Sequence, residues 1–270
     1  MIVDALSQAR AMRFRCIERA IPRRVLNFLR KSFDTLILAY SGGTDSTLLL
    51  LICKMMELPL DKIVFGNTRL EYSETLAYVH RTVNSLGYSS IFTEIFPEMS
   101  VAELARIVLE DFDKNLYRAD YDKSAYRCCY HAKEKPMRVF LKESGLDNEH
   151  TCILRGVRLV DNSNRMLSGL TLIGAGHFYY YDYKHADEAA CGNPLWLMSD
   201  DGKNRWLPAL CDKFNVPMPD KSGCSICPIY YRYARGRERE SLRFKIAQRF
   251  IETRSTQKLP HYLGAEAHLK

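Results

Sequence analysis

The chain has 270 residues, 47% of them hydrophobic, with nine cysteines and a formal net charge of +7. The apolar content is enough to bury a large core, so one domain with a small appendage is the expected count. The polar, basic N-terminus shows no secretory signal. The apolar run Leu48 to Cys53 is stopped at Lys54, well short of the roughly 20 residues that cross a bilayer. The odd cysteine count and its spacing do not suggest a secreted disulfide framework. A reduced, cytoplasmic setting is therefore expected, away from membranes, with some cysteines serving as metal ligands.

Residues 4–32 read as one or two basic amphipathic helices broken near Pro22. A short apolar strand follows over 35–40, then the turn Ser41-Gly42-Gly43-Thr44-Asp45-Ser46, then a helix over 45–57. Lys62 to Phe65 is a second strand, Ser73 to Leu86 a helix, Ser90 to Phe96 a third strand and Val101 to Leu109 a helix. Residues 111–131 are irregular and aromatic. Ala132 to Ser144 is again helical, and Thr151 to Leu154 is a strand running into Gly156-Val157-Arg158. Residues 168–183 suggest a β-hairpin, 204–214 a helix, and a long basic helix is expected from Pro228 to about Thr253. Strands alternating with helices argue an α/β fold, a parallel sheet with helices on both faces.

Two features of this chain carry chemistry. The first is the glycine turn. A strand-to-helix turn leaves backbone N–H groups at a helix N-terminus, where an anion, above all phosphate, is favoured. Gly42 and Gly43 allow close backbone approach, Ser41 and Ser46 add hydroxyls, and Asp45 suits Mg2+. An ordinary tight turn capped by Asp45 or Ser46 is the plainer alternative. The second is the cysteine set. Cys128 and Cys129 are adjacent, and Cys224-Ser225-Ile226-Cys227 is a CxxC between Gly223 and Pro228. Four thiolates can hold a [4Fe-4S] cluster or a zinc ion, and adjacent ligands favour the cluster. A redox CxxC or buried thiols are the other readings. Cys53 and Cys152 lie in apolar patterns that suit core packing.

Charge is uneven. Residues 1–32 hold eight Arg and Lys against two Asp and Glu, and residues 228–270 hold ten against four. The two ends together carry +12 and the middle −5. Basic ends around an acidic centre suggest a polyanion such as nucleic acid, with solvated helical faces as the alternative.

The loop SGGTDS resembles the phosphate-binding loop of the PP-loop, or N-type ATP pyrophosphatase, superfamily. Asn67-Thr68-Arg69 with Ser73-Glu74-Thr75 is similar to the "DTG…PET" segment of its PAPS/APS reductase-like branch, with Asn, Arg and Ser substituted. Gly156-Val157-Arg158, Asp161 and Arg165 resemble its "GxR…E…R" segment. Cys128-Cys129 with Cys224 and Cys227 resembles the CC…CxxC pattern that binds [4Fe-4S] in APS reductases and related thiolation enzymes. The resemblance spans about residues 33–228. It implies an adenine nucleotide α-hydrolase-like domain there, with a basic helical extension over 1–32 and a basic helix and tail over 229–270.

The branch includes reductases of APS or PAPS and enzymes that adenylate an oxygen with ATP before sulfur displaces AMP. Such reductases usually depart from SGGxDS and use a cysteine near the C-terminus. Here the loop is intact and no cysteine follows Cys227. Both points favour ATP-dependent activation with pyrophosphate release. In that scheme ATP and Mg2+ occupy Ser41, Gly42, Gly43, Thr44, Asp45 and Ser46. Asp45 places the metal, Ser46 donates to phosphate, and Arg158 and Arg165 stabilise charge at the α-phosphorus. Asp161 orients one of these arginines or a substrate hydroxyl. The cluster on Cys128, Cys129, Cys224 and Cys227 serves either as a structural stitch or as a sulfur relay.

Within this branch the chain looks most like the ATP-pyrophosphatase component of DNA phosphorothioation systems, where sulfur replaces a backbone phosphate oxygen. That likeness implies DNA as the acceptor and a cysteine desulfurase as sulfur donor, with a homo-oligomer compatible. The alternatives are tRNA thiolation, a reductase borrowing a partner's thiol, and a non-catalytic nucleotide sensor.

Overall fold

The computed structural model describes residues 22–113, 127–161, 188–220 and Cys224. The N-terminal basic segment before residue 22, the hairpin expected over 168–183 and the basic helix expected after Pro228 lie outside the described residues, as do Arg165 and Cys227. The chain forms two compact units. One is drawn from Met1–Phe65, Ser73–Glu94 and Leu141–Ser222, the other from Gly66–Tyr72, Ile95–Phe140 and Gly223–Lys270.

The first unit opens with helix α1 over 22–32. Its Val25, Leu26 and Leu29 are buried while Arg23 and Arg24 face solvent, a helical spacing of apolar residues. Strand β1, Thr35–Ala39, lies between β2, Lys62–Gly66, and β4, Thr151–Arg155, and is parallel to both. With β3, Phe92–Ile95, and β5, Ala190–Gly192, it forms a five-stranded sheet in the order β3-β2-β1-β4-β5. Register explains why the strands are apolar throughout. Leu36 and Leu38 align with Cys152 and Leu154, and Leu38 with Ile63, placing one row of side chains in the main core. Ile37, Val64 and Ile153 alternate with them and are buried as well. Both sheet faces are therefore covered, as a parallel sheet requires.

Helix α2, Thr44–Met55, is buried continuously from Ser46 to Cys53, so it runs through the core rather than over it. Helix α3, Ser73–Ser85, buries Thr75, Val79, Thr82 and Val83 along one stripe. In the second unit, α4 is Val101–Asp113. Helix α5, Arg127–Cys129, continues through a π-helical turn, Tyr130–Glu134, into α6, Lys135–Glu143. Helix α7, Asp200–Lys213, closes the first unit and packs against α2.

Four boundaries differ from the sequence expectation. The third strand begins at Phe92, because Ser89–Ile91 forms a 3-10 turn held by the Ile91 N–H to the Tyr88 carbonyl and by the Ser89 hydroxyl to Asn84. Helix α7 starts at Asp200, not 204, because the Ser199 hydroxyl accepts the Gly202 N–H at 3.0 Å and overrides the glycine's poor propensity. The irregular stretch expected over 111–131 is helical at both ends, to Asp113 and from Arg127. Strand β5 was not expected. It has three residues, and Gly192 is closely surrounded: a Cβ there would lie 2.6 Å from Leu29 Cδ1, so that side chain would have to shift.

Candidate nucleotide site

The sheet order places a topological switch between β1 and β4: the chain winds outward from β1 through β2 to β3, then returns on the other side with β4 and β5. Ligands in open parallel sheets bind beyond the strand C-termini at such a point. SGGTDS follows β1 and Gly156-Val157-Arg158 follows β4, so the switch brings together two motifs far apart in the chain.

Within the loop, Gly42 has φ of +73°, and a Cβ there would stand 2.6 Å from Val79 Cγ2. This position needs glycine for both conformation and space. Gly43 is the N-cap of α2 and supplies no capping side chain. The serines brace the turn internally. Ser46 Oγ donates to the Gly43 carbonyl at 3.1 Å, accepts from the Ser41 N–H at 3.3 Å, and lies 2.9 Å from Ser41 Oγ. Beneath it, Tyr40 contacts Thr47 Oγ1 at 3.3 Å, and burial raises the Tyr40 phenol well above its ordinary pKa. Gly156 abuts the loop so closely that a Cβ would sit 2.7 Å from the Asp45 carbonyl carbon and the Ser46 nitrogen.

A cavity of about 420 Å³ opens over these residues, lined by Ser41, Gly43, Thr44, Asp45, Ser46, Gly156, Pro219 and Asp220. Asp45 stands between the cavity and a charge network. Its Oδ1 lies 2.8 Å from Arg158 Nε and 3.6 Å from Lys203 Nζ. Arg158 also donates to Asp200 Oδ1 at 2.9 Å, and Lys203 lies 3.9 Å from that oxygen. Arg158 is 2% exposed, too deep for a solvated surface arginine. The structure thus joins Ser41, Gly42, Gly43, Thr44, Asp45, Ser46 and Arg158 in one place, with Arg158 held by two carboxylates. Asp200, Lys203, Pro219 and Asp220 were missed from the sequence. The available signal was Ser199-Asp200-Asp201, a helix start that would have placed Lys203 on the first turn.

The second unit gathers the cysteines. Cys128, Cys129 and Cys224 share a small apolar cluster with Leu70, Val101, Leu104, Val108 and Ala132. Cys224 forms an isolated antiparallel bridge with Glu71, and its Sγ lies 3.5 Å from Thr68 Oγ1. Glu71, itself buried, accepts from the Thr68 N–H at 2.9 Å and the Thr68 hydroxyl at 2.5 Å, and pairs with Lys133 at 3.8 Å. Three of the four expected thiols therefore border one apolar cluster, and thiolates are the ligand type of an iron–sulfur group. Among the described residues, no three His, Cys, Asp or Glu side chains stand at metal-holding spacing. Cys53 and Cys152 lie in the first unit's core, where burial pushes both thiols up to about 12.

This geometry defines an α/β fold of the adenine nucleotide α-hydrolase kind with a glycine loop at its switch point. A family model described as the phosphoadenosine phosphosulfate reductase domain matches residues 35–171, and the chain belongs to that family. Among solved structures, the phosphoadenylyl-sulfate (PAPS) reductase from Candida auris, in a phosphate complex, is similar with 16% identity and a TM-score of 0.50, covering 78% of this chain and 93% of that one. The U34-tRNA thiolase NcsA from Methanococcus maripaludis with its [4Fe-4S] cluster matches at 13% identity and a TM-score of 0.46, covering 93% of this chain and 80% of that one. The NH3-dependent NAD synthetase from Campylobacter jejuni matches at 16% identity and 0.40, covering 74% of each chain. A search of curated proteins returns no match. Among the described residues no helix is long and apolar enough to cross a membrane.

Proposed function

We propose that this chain binds ATP with Mg2+ on Ser41 to Ser46 and cleaves it between the α- and β-phosphates, activating an oxygen of a nucleic acid for replacement by sulfur. The observation that carries this is the intact glycine loop at the β1/β4 switch point, its helix start lining the 420 Å³ cavity. The loop amides take the β- and γ-phosphates, where the partial positive charge of α2 is greatest. Asp45, aimed by Arg158, takes the metal. An acceptor oxygen attacks the α-phosphorus, the bond to the bridging oxygen breaks, and pyrophosphate leaves. The terminal sulfur of a persulfide carried by a partner cysteine desulfurase then attacks the activated centre and AMP leaves; a second thiol cleaves the remaining S–S bond, freeing the sulfur-substituted product and leaving a disulfide. Catalysis in the first step is positioning and electrostatics, with no covalent enzyme intermediate.

Cys128, Cys129, Cys224 and Cys227 are the residues that would hold a [4Fe-4S] cluster, which supplies structural cross-linking or sulfur chemistry when bound. The basic chain ends support a nucleic-acid acceptor, and DNA phosphorothioation is the favoured case, ahead of tRNA thiolation.

The test is pyrophosphate release from ATP in the presence of sulfur donor and DNA, lost in Asp45→Ala. Sulfur-for-oxygen mass shifts in DNA dinucleotides or in tRNA nucleosides identify the acceptor. One observation favours a second reading. The matched family is described by its reductase, so sulfite release from PAPS or APS with thioredoxin, without pyrophosphate release from ATP, would replace the adenylation reading. ATP binding with no α–β cleavage under every condition would leave a nucleotide sensor.

A further inference from the structure

We propose that Lys203 is a movable counter-ion of the nucleotide site: it pairs with Asp45 and passes to the nucleotide's phosphates when Mg2+ takes that carboxylate. This deepens the nucleotide reading above and rests on it.

The loop itself poses the charge problem. Among Ser41 to Ser46 the one ionised side chain is Asp45, so the loop brings a negative charge to a ligand that is already strongly anionic. Backbone amides and the helix dipole offset only about half an elementary charge. A cation has to come from another element, and among the described residues Arg158 and Lys203 stand beside Asp45.

Arg158 is the fixed one. It is almost fully buried, with Nε at 2.8 Å from Asp45 and a terminal nitrogen at 2.9 Å from Asp200. A planar guanidinium clamped from two directions cannot turn toward a ligand without abandoning one carboxylate. Lys203 is held differently. Its Nζ stands 3.6 Å from Asp45 Oδ1 and 3.9 Å from Asp200 Oδ1, both longer than a direct hydrogen bond. It is a single ammonium on a flexible four-carbon stem, rooted one turn into α7. Asp200 lies three residues before it on the same helix and is well exposed, so it can keep hold of the ammonium as a pivot.

The two cations share the buried Oδ1 of Asp45, and the same carboxylate group lines the cavity. A divalent ion arriving there repels the weaker-held neighbour first. The released ammonium stays within reach of the anion that arrives with the metal. Lys203 and Mg2+ therefore compete for Asp45 and cooperate on the nucleotide, and this makes opposite predictions for the two ligands.

The test measures binding of a fluorescent ATP analogue to the full-length protein over a Mg2+ series, with thermal shift by Mg2+ alone as a second readout. In Lys203→Met the analogue should bind about tenfold more weakly at saturating Mg2+, the loss of one charge-assisted contact. The Mg2+ concentration giving half-maximal thermal shift should fall about threefold, since the competing ammonium is gone. Lys203→Arg should recover part of the analogue affinity. Asp200→Asn, which removes the pivot charge while keeping an oxygen acceptor for Arg158, should weaken the analogue by a smaller factor and carries the test should Lys203→Met melt early. Wild-type affinity and unchanged Mg2+ dependence in both variants would overturn the role of Lys203 and leave the nucleotide reading standing. Failure of the wild-type protein to bind the analogue at any Mg2+ concentration would overturn both.

Discussion

The two units assemble their chemistry in opposite ways. In the first, six consecutive residues make the glycine loop, and its serines brace one another across five positions or fewer. In the second, the cysteine cluster is tied together by a contact between Thr68 and Cys224, 156 positions apart. A contiguous loop is organised by its own backbone and needs the fold mainly to present it. A dispersed site exists only after the chain has closed a long loop and buried the polar group, here Glu71, that holds its ends.

The sharpest way to break this contrast is Arg158→Ala. If the local loop were self-sufficient, removing a residue from β4's end would matter little. Because Arg158 is buried against Asp45, its loss should cost about 2–4 kcal/mol, below the upper range for buried pairs since Asp200 is solvent-screened. Urea unfolding measures this, and a change under 1 kcal/mol would show that the loop stands without its brace.

Next in size are the glycines. Gly42→Ala forces a left-handed backbone on a Cβ that meets Val79, and Gly156→Ala drives a Cβ into the loop backbone. Each should destabilise by roughly 1–3 kcal/mol. Gly156→Ala should also weaken nucleotide binding more than Gly42→Ala does, because its Cβ displaces the Asp45 and Ser46 backbone directly. Equal effects on binding would argue that Gly156 is only a packing position.

The second unit is probed by Glu71→Ala, which removes the acceptor for both Thr68 donors and the partner of Lys133. A cost of about 1–3 kcal/mol is expected, together with faster alkylation of Cys224 followed by mass spectrometry. Unchanged alkylation would show that Thr68 and Glu71 do not hold that thiol.

The thiols of the first unit offer a pH test. Cys53 and Cys152 are raised from 9.0 to about 12 by burial, so the folded state keeps protons that the unfolded state releases above pH 9. Their contribution to stability is complete below pH 9 and is lost as pH rises toward 12. Native alkylation at pH 8 should spare both while labelling the half-buried Cys129 and Cys224. The smallest effect is Ser199→Ala, which should cost about 1 kcal/mol through loss of the α7 cap, read as a lowered melting temperature.

Much of the first unit was legible in the sequence. The apolar run of β1, the glycine loop and α2 are neighbours in the chain, and their patterns follow from local rules of burial and turn conformation. Cys53 and Cys152 were placed in the core on their apolar surroundings alone, and both are fully buried. Strand β5 was not legible, because three residues carry no periodicity and Gly192 reads as a breaker until its contact with Leu29 is seen. Lys203 was not legible either: a lysine on a polar helix turn has the composition of an ordinary surface residue.

The amino-acid sequence by itself determined the alternation of strands and helices, the tight glycine turn after β1, and the set of thiols available for a metal group. Each depends on residues a few positions apart, where backbone sterics and side-chain size act directly. Only the tertiary structure decided that Arg158 and Lys203 share an oxygen of Asp45, and that Glu71 and Thr68 secure Cys224. Those pairings form between segments brought together by sheet order and core burial, and no local preference of either partner encodes the other.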